Sequence, residues 1–139
     1  MWLESRADAR APFVEVWTKM QRGTALTPME SLIAGVIAMH PEYHPCLSDA
    51  GVLAAEFAPD GGQSNPFLHM GLHIALEEQR RTDRPSGVAA VYLGMVKRSG
   101  DTHRAEHRMI ECLARSLWEA QRARALPDEQ AYLDCLRRL

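Results

Sequence analysis

From about residue 10 onward the chain repeats one signal: apolar residues return every three or four positions, and polar residues fill the gaps. "ARAPFVEVWTKMQRG" sets Phe13, Val14, Val16, Trp17 and Met20 at helical spacing and stops at Gly23. In "TPMESLIAGVIAMH", Thr27 is placed to be an N-cap, Pro28 sits at the first helical position and Glu30 completes a capping box. Leu32, Ile33, Val36 and Ile37 form the inner stripe of that helix. "HPEYHPCLSDAGVLAAEF" holds two prolines and then a short helical stretch to Phe57, and "APDGGQSN" reads as a loop. Asn65 caps "PFLHMGLHIALEEQRRTDR", which Pro85 ends. That segment is apolar nearly all round from Phe67 to Leu76, as a central helix is. "SGVAAVYLGMVKRSG" is a shorter helical piece, and Asp101 caps a helix running to about Arg122. "PDEQAYLDCLRRL" closes the chain with Tyr132, Leu133 and Leu136 inward. With no strand pair, repeat or low-complexity tract, the expected fold is all-α. It is a single helical domain over 1–139, an irregular bundle of about six or seven helices.

Composition adds exclusions. At 139 residues the chain can bury a core without disulfides. Its formal charge of −2, with the arginines scattered, leaves no electrostatic footprint for nucleic acid. No apolar run approaches a membrane span, and the charged start "MWLESRADAR" lacks the apolar stretch of a secretory signal. Cys46, Cys112 and Cys135 are odd in number and show no CxxC spacing, which argues against a disulfide framework and for a reducing compartment. The cytoplasm is the expected location.

The histidines change the picture more. All six, His40, His44, His69, His73, His103 and His107, fall in HxxxH pairs. Random placement would give on the order of 0.2 such pairs, and residues four apart share a helix face. Taking His103 as zero and advancing roughly 100° per residue, His107 lies near 40°, Ile110 near −20°, Leu117 near −40° and Glu106 near −60°. On that count His103, Glu106 and His107 extend an inward stripe, while Arg104, Arg108 and Arg115 take the solvent side. His69 and His73 lie together on the central helix, and His40 continues the Val36–Ile37 stripe, with His44 beyond Pro41.

Imidazoles with nearby carboxylates suit a transition metal, zinc or iron, better than calcium or magnesium. The expected ligand set is His69, His73, His103 and His107, with Glu106 and His40 or His44 as further ligands or supporting groups. The competing expectation is a metal-free interaction module, whose histidines form a buried hydrogen-bond network and whose partner is another protein or a second copy. "HRAEH" also matches HxxEH, the inverted zinc-peptidase pattern, in which the glutamate is the base. His73–Glu77 and His103–His107 resemble the HxxxE and HxxxH pairs of hemerythrin-like bundles, but no HxxxxD follows. None of these patterns names a reaction.

The strings "HPEYH", "NPFLHMGLHIALEEQ", "TDRPSG" and "HRAEHRMIECL…LWEAQR" resemble a bacterial family known as domain of unknown function 1841. The resemblance runs from about Arg10 to Leu139 and implies a small helical protein. It implies no activity, substrate or cofactor.

Overall fold

The computed structural model describes residues 6–55 and 65–139. Phe57 and most of the expected loop after it lie outside the described residues. Among the described residues the chain is all-α, as expected of a helical bundle, with no strand. Its helices are α1 (Arg6–Arg22), α2 (Pro28–Ala38), α3 (His44–Leu47), α4 (Pro66–Thr82), α5 (Val88–Ser99), α6 (Thr102–Ala123) and α7 (Glu129–Arg137). Short 3-10 turns at Pro41–Tyr43 and Val52–Ala54 flank α3. The chain forms two compact units, Met1–Gly71 and Leu72–Leu139, so the division falls inside α4.

In the first unit α1 packs on α2 and on the Val52–Ala54 turn. Gly23 ends α1 with φ at +66°, a value that costs a residue with a Cβ. The expected capping box opens α2: the Thr27 hydroxyl accepts from the Glu30 N–H, and the Thr27 N–H donates to the Glu30 carboxylate. Thr27→Ala will therefore cost about 1 kcal/mol, read as a shift of the urea midpoint with an unchanged slope. Phe13, Val16, Ile33, Val36, Ile37, Leu47, Val52 and Phe67 are buried. Phe13 and Phe67 meet edge to face at 5.7 Å. Arg10 is buried beside them; its guanidinium donates to the carbonyls of Val52 (2.9 Å) and Ala55 (2.7 Å) and lies over the Phe67 ring. Those charge-assisted bonds tie α1 to the turn that precedes α4.

In the second unit the core gathers Leu72 and Leu76 of α4, Val88, Tyr92 and Met95 of α5, Met109 and Leu113 of α6, and Tyr132, Leu133 and Leu136 of α7. Asn65 and Asp101 cap α4 and α6 as expected: the Asn65 side-chain oxygen accepts from the Phe67 N–H, and the Asp101 carboxylate accepts from the His103 N–H. Gly100 ends α5 in the left-handed region, φ +72°.

Two expectations need correction here. Cys112 and Cys135 form a disulfide, whereas the cysteine spacing pointed away from one. The pair is 23 residues apart, and α7 packing back on α6 brings the two Cα atoms to 5.8 Å, a proximity that tertiary packing creates and spacing rules do not contain. The expectation of a reducing compartment loses that ground. Closing a 23-residue loop restricts the unfolded chain, so Cys112→Ser will cost about 3 kcal/mol in non-reducing denaturation, and added reductant will bring the wild type to the same midpoint. The second correction concerns the facing of α6. Its buried residues are Ala105, Glu106, Met109, Ile110, Cys112 and Leu113, an arc centred roughly 90° from His103 on the helical count. Leu117 and His107, placed inward by the sequence, are exposed, and Leu68 of α4 is exposed as well. No described helix is long and apolar enough to cross a membrane.

Candidate metal centre

The arc explains the site. His103 and His107 lie on the edge of the buried face of α6 rather than at its centre, one half-buried and one exposed. His73 of α4 is fully buried, and it meets that edge. The three rings converge: centroids are 5.4 Å apart for His73 and His103, 5.0 Å for His73 and His107, and 4.2 Å for His103 and His107. One ring nitrogen from each lies within 4.8 Å of the others. Tetrahedral coordination at about 2.0–2.1 Å per nitrogen asks for nitrogens about 3.4 Å apart, so side-chain adjustments of about an ångström close the set.

Behind the rings runs a buried polar chain. His73 Nδ1 lies 2.9 Å from Glu106 Oε1, and both side chains are 0% exposed. The Tyr92 hydroxyl donates to Glu106 Oε2 at 2.5 Å and also lies 3.3 Å from Glu77 Oε1. Glu77 in turn receives the Arg80 guanidinium at 2.6 Å. Burial pushes the Glu106 carboxyl up; the Tyr92 hydroxyl pulls it down and the Glu77 carboxyl pushes it up again, leaving it at about 7. Burial also raises Glu77, but Arg80 and hydrogen bonds from Glu106 and Tyr92 outweigh it and hold Glu77 below the ordinary carboxylate value. Two carboxyls side by side thus divide the work: Glu77 carries the charge against Arg80, and Glu106 keeps a proton far more readily. Burial, then Glu106, pushes the Tyr92 phenol up, so it stays a hydroxyl donor. When His73 Nδ1 carries its hydrogen towards Glu106, the lone pair of His73 resides on Nε2, the arrangement that orients a metal-binding imidazole.

A family model described as Domain of unknown function (DUF1841) matches residues 5–138, nearly the whole chain. The chain belongs to the DUF1841 family. No curated protein and no solved structure matches it.

Of the residues singled out in the sequence, this DUF1841 chain brings His73, His103, His107 and Glu106 together in its second unit. His40, His44 and His69 belong to the first unit. His40 Nδ1 meets the Val36 carbonyl at 2.8 Å, and its ring stacks on Tyr43 and touches the edge of His69. His44 Nε2 meets the Ile37 carbonyl at 2.9 Å, and its ring lies against Trp17. His40 and His44 share no helix, because α2 ends at Ala38 and the 3-10 turn intervenes. Glu106, the base in the inverted-peptidase pattern, is enclosed between Tyr92 and His73. Tyr92 is the residue the sequence reading passed over. Its signal was present: Val88, Tyr92 and Met95 form the buried stripe of α5, and a phenol on such a stripe needs a polar partner.

Proposed function

We propose that this DUF1841 protein binds one transition-metal ion, zinc or iron, through His73, His103 and His107. The observation that carries the reading is the convergence of three ring nitrogens within 4.8 Å, with Glu106 hydrogen-bonded to the buried ring of His73. An ion held by imidazoles takes a small ligand by expanding its coordination number. Candidacy of His44 and His69 as ligands rests on their spacing alone. Elemental analysis of untagged protein grown with zinc and iron should find about one ion per chain. Background content, together with a melting temperature that chelator leaves unchanged, would overturn the reading.

A second reading has one observation in its favour. His40 and His44 are held by the carbonyls of Val36 and Ile37 and by aromatic neighbours, as members of a structural hydrogen-bond network would be. On this reading the protein is a metal-free interaction module, and its partner is another protein or a second copy. Light scattering that finds a concentration-dependent dimer in metal-free protein would favour it.

A further inference from the structure

Along the outer side of α6, against the exposed edge of the three-histidine cluster, runs a depression of about 320 Å³ lined by Asp101, His103, Arg104, His107, Arg108 and Glu111. Arg104 and Arg108 stand one helical turn apart and are exposed, and neither makes an ion pair with any described residue. On the helical count the two arginines and the two histidines share an arc of roughly 140°, so all four face the same depression. We propose that this depression is the binding site for a small oxyanion, a phosphoryl or carboxylate group. One oxygen joins the coordination of the metal, and Arg104 and Arg108 hold the others. The proposal rests on the metal reading of the same site and names its ligand class.

Charge and geometry both favour this class. Three neutral imidazoles leave the charge of a divalent ion uncompensated. The two arginines and the two carboxylates of the depression cancel, so a metal-loaded site is net positive. The Asp101 carboxylate is engaged at the helix start, accepting the His103 N–H at 3.0 Å. Glu111 lies one turn beyond His107, towards the far end. Guanidinium groups present paired donors that match the oxygens of phosphate and carboxylate. A neutral ligand would gain nothing from them.

The test loads the untagged full chain with Co²⁺ in an anion-poor buffer and titrates inorganic phosphate and, separately, acetate, reading the visible cobalt bands. The proposal expects about one Co²⁺ per chain, a saturable change in the bands, and half-saturation at least about tenfold higher in the double variant Arg104→Gln, Arg108→Gln, with its Co²⁺ content unchanged. A response to phosphate alone assigns the phosphoryl class, and a response to acetate as well extends it to carboxylates. Either upholds the proposal. Bound Co²⁺ whose bands neither anion alters, or a double variant that responds as the wild type does, overturns the oxyanion site and leaves the metal site standing. Failure to bind Co²⁺ removes both.

Discussion

Glu106→Ala will destabilise the metal-free protein by about 3–5 kcal/mol, because it removes a buried carboxyl that bonds both the Tyr92 hydroxyl and the His73 ring. The Tyr92 hydroxyl and the His73 ring are both buried against this carboxyl, and Tyr92 keeps the longer 3.3 Å contact with Glu77 when it is lost. Glu106→Gln keeps the volume and an acceptor oxygen and should cost about 1 kcal/mol. The same pair of variants tests the protonation of Glu106. Its carboxyl is raised, chiefly by burial, from the ordinary 4.5 to about 7. The folded chain therefore holds a proton that the unfolded chain has released. The stability linked to that proton is complete below pH 4.5 and is lost as pH rises through 7, in total about 3 kcal/mol at about 1.36 kcal/mol per unit. Glutamine cannot titrate. Urea denaturation of chelated protein should show the wild type losing stability relative to Glu106→Gln between pH 4.5 and pH 8. A constant difference between the two across that range would mean that Glu106 is an ordinary ionised carboxylate.

The second large effect is on metal-dependent stability. Zinc at about a hundred times its dissociation constant should stabilise the wild type by about 2.7 kcal/mol, which raises Tm by several degrees in a chain of this size. His107 is exposed, so His107→Ala should leave metal-free stability within about 0.5 kcal/mol of the wild type. It removes one of three donors. If affinity falls by about a hundredfold, the same zinc concentration stabilises the variant by only about 0.4 kcal/mol. Differential scanning calorimetry with and without zinc reads both numbers. A variant that gains as much from zinc as the wild type would place the metal elsewhere.

How much of this was legible beforehand follows from which physics is local. Helix starts were legible because Thr27, Asn65 and Asp101 satisfy backbone donors a few residues away, within the reach of a sequence window. Every described helix but the four-residue α3 followed from apolar spacing, and so did the inward face of α7 with Tyr132, Leu133 and Leu136. The HxxxH spacing correctly singled out His103 and His107 as neighbours on one helix. The facing of α6 was not legible in the same way. Counting angles from His103 took the histidines as the centre of the buried arc, while packing against α5 and α7 selects Ala105, Met109 and Leu113. The rotation leaves one of the three rings buried, one half-buried and one exposed. The disulfide and the Tyr92–Glu106 contact were hidden for a common reason. Each joins different helices, 23 residues apart in one case and 14 in the other, and no local rule links such positions.

The most direct measurement is anomalous diffraction at the zinc edge from crystals of the zinc-loaded protein. The account predicts one strong peak about 2.0–2.1 Å from Nε2 of His73 and from one ring nitrogen each of His103 and His107, with Glu106 still bonded to His73 Nδ1. A peak bound elsewhere, or none between the three rings at full zinc occupancy in solution, would contradict it.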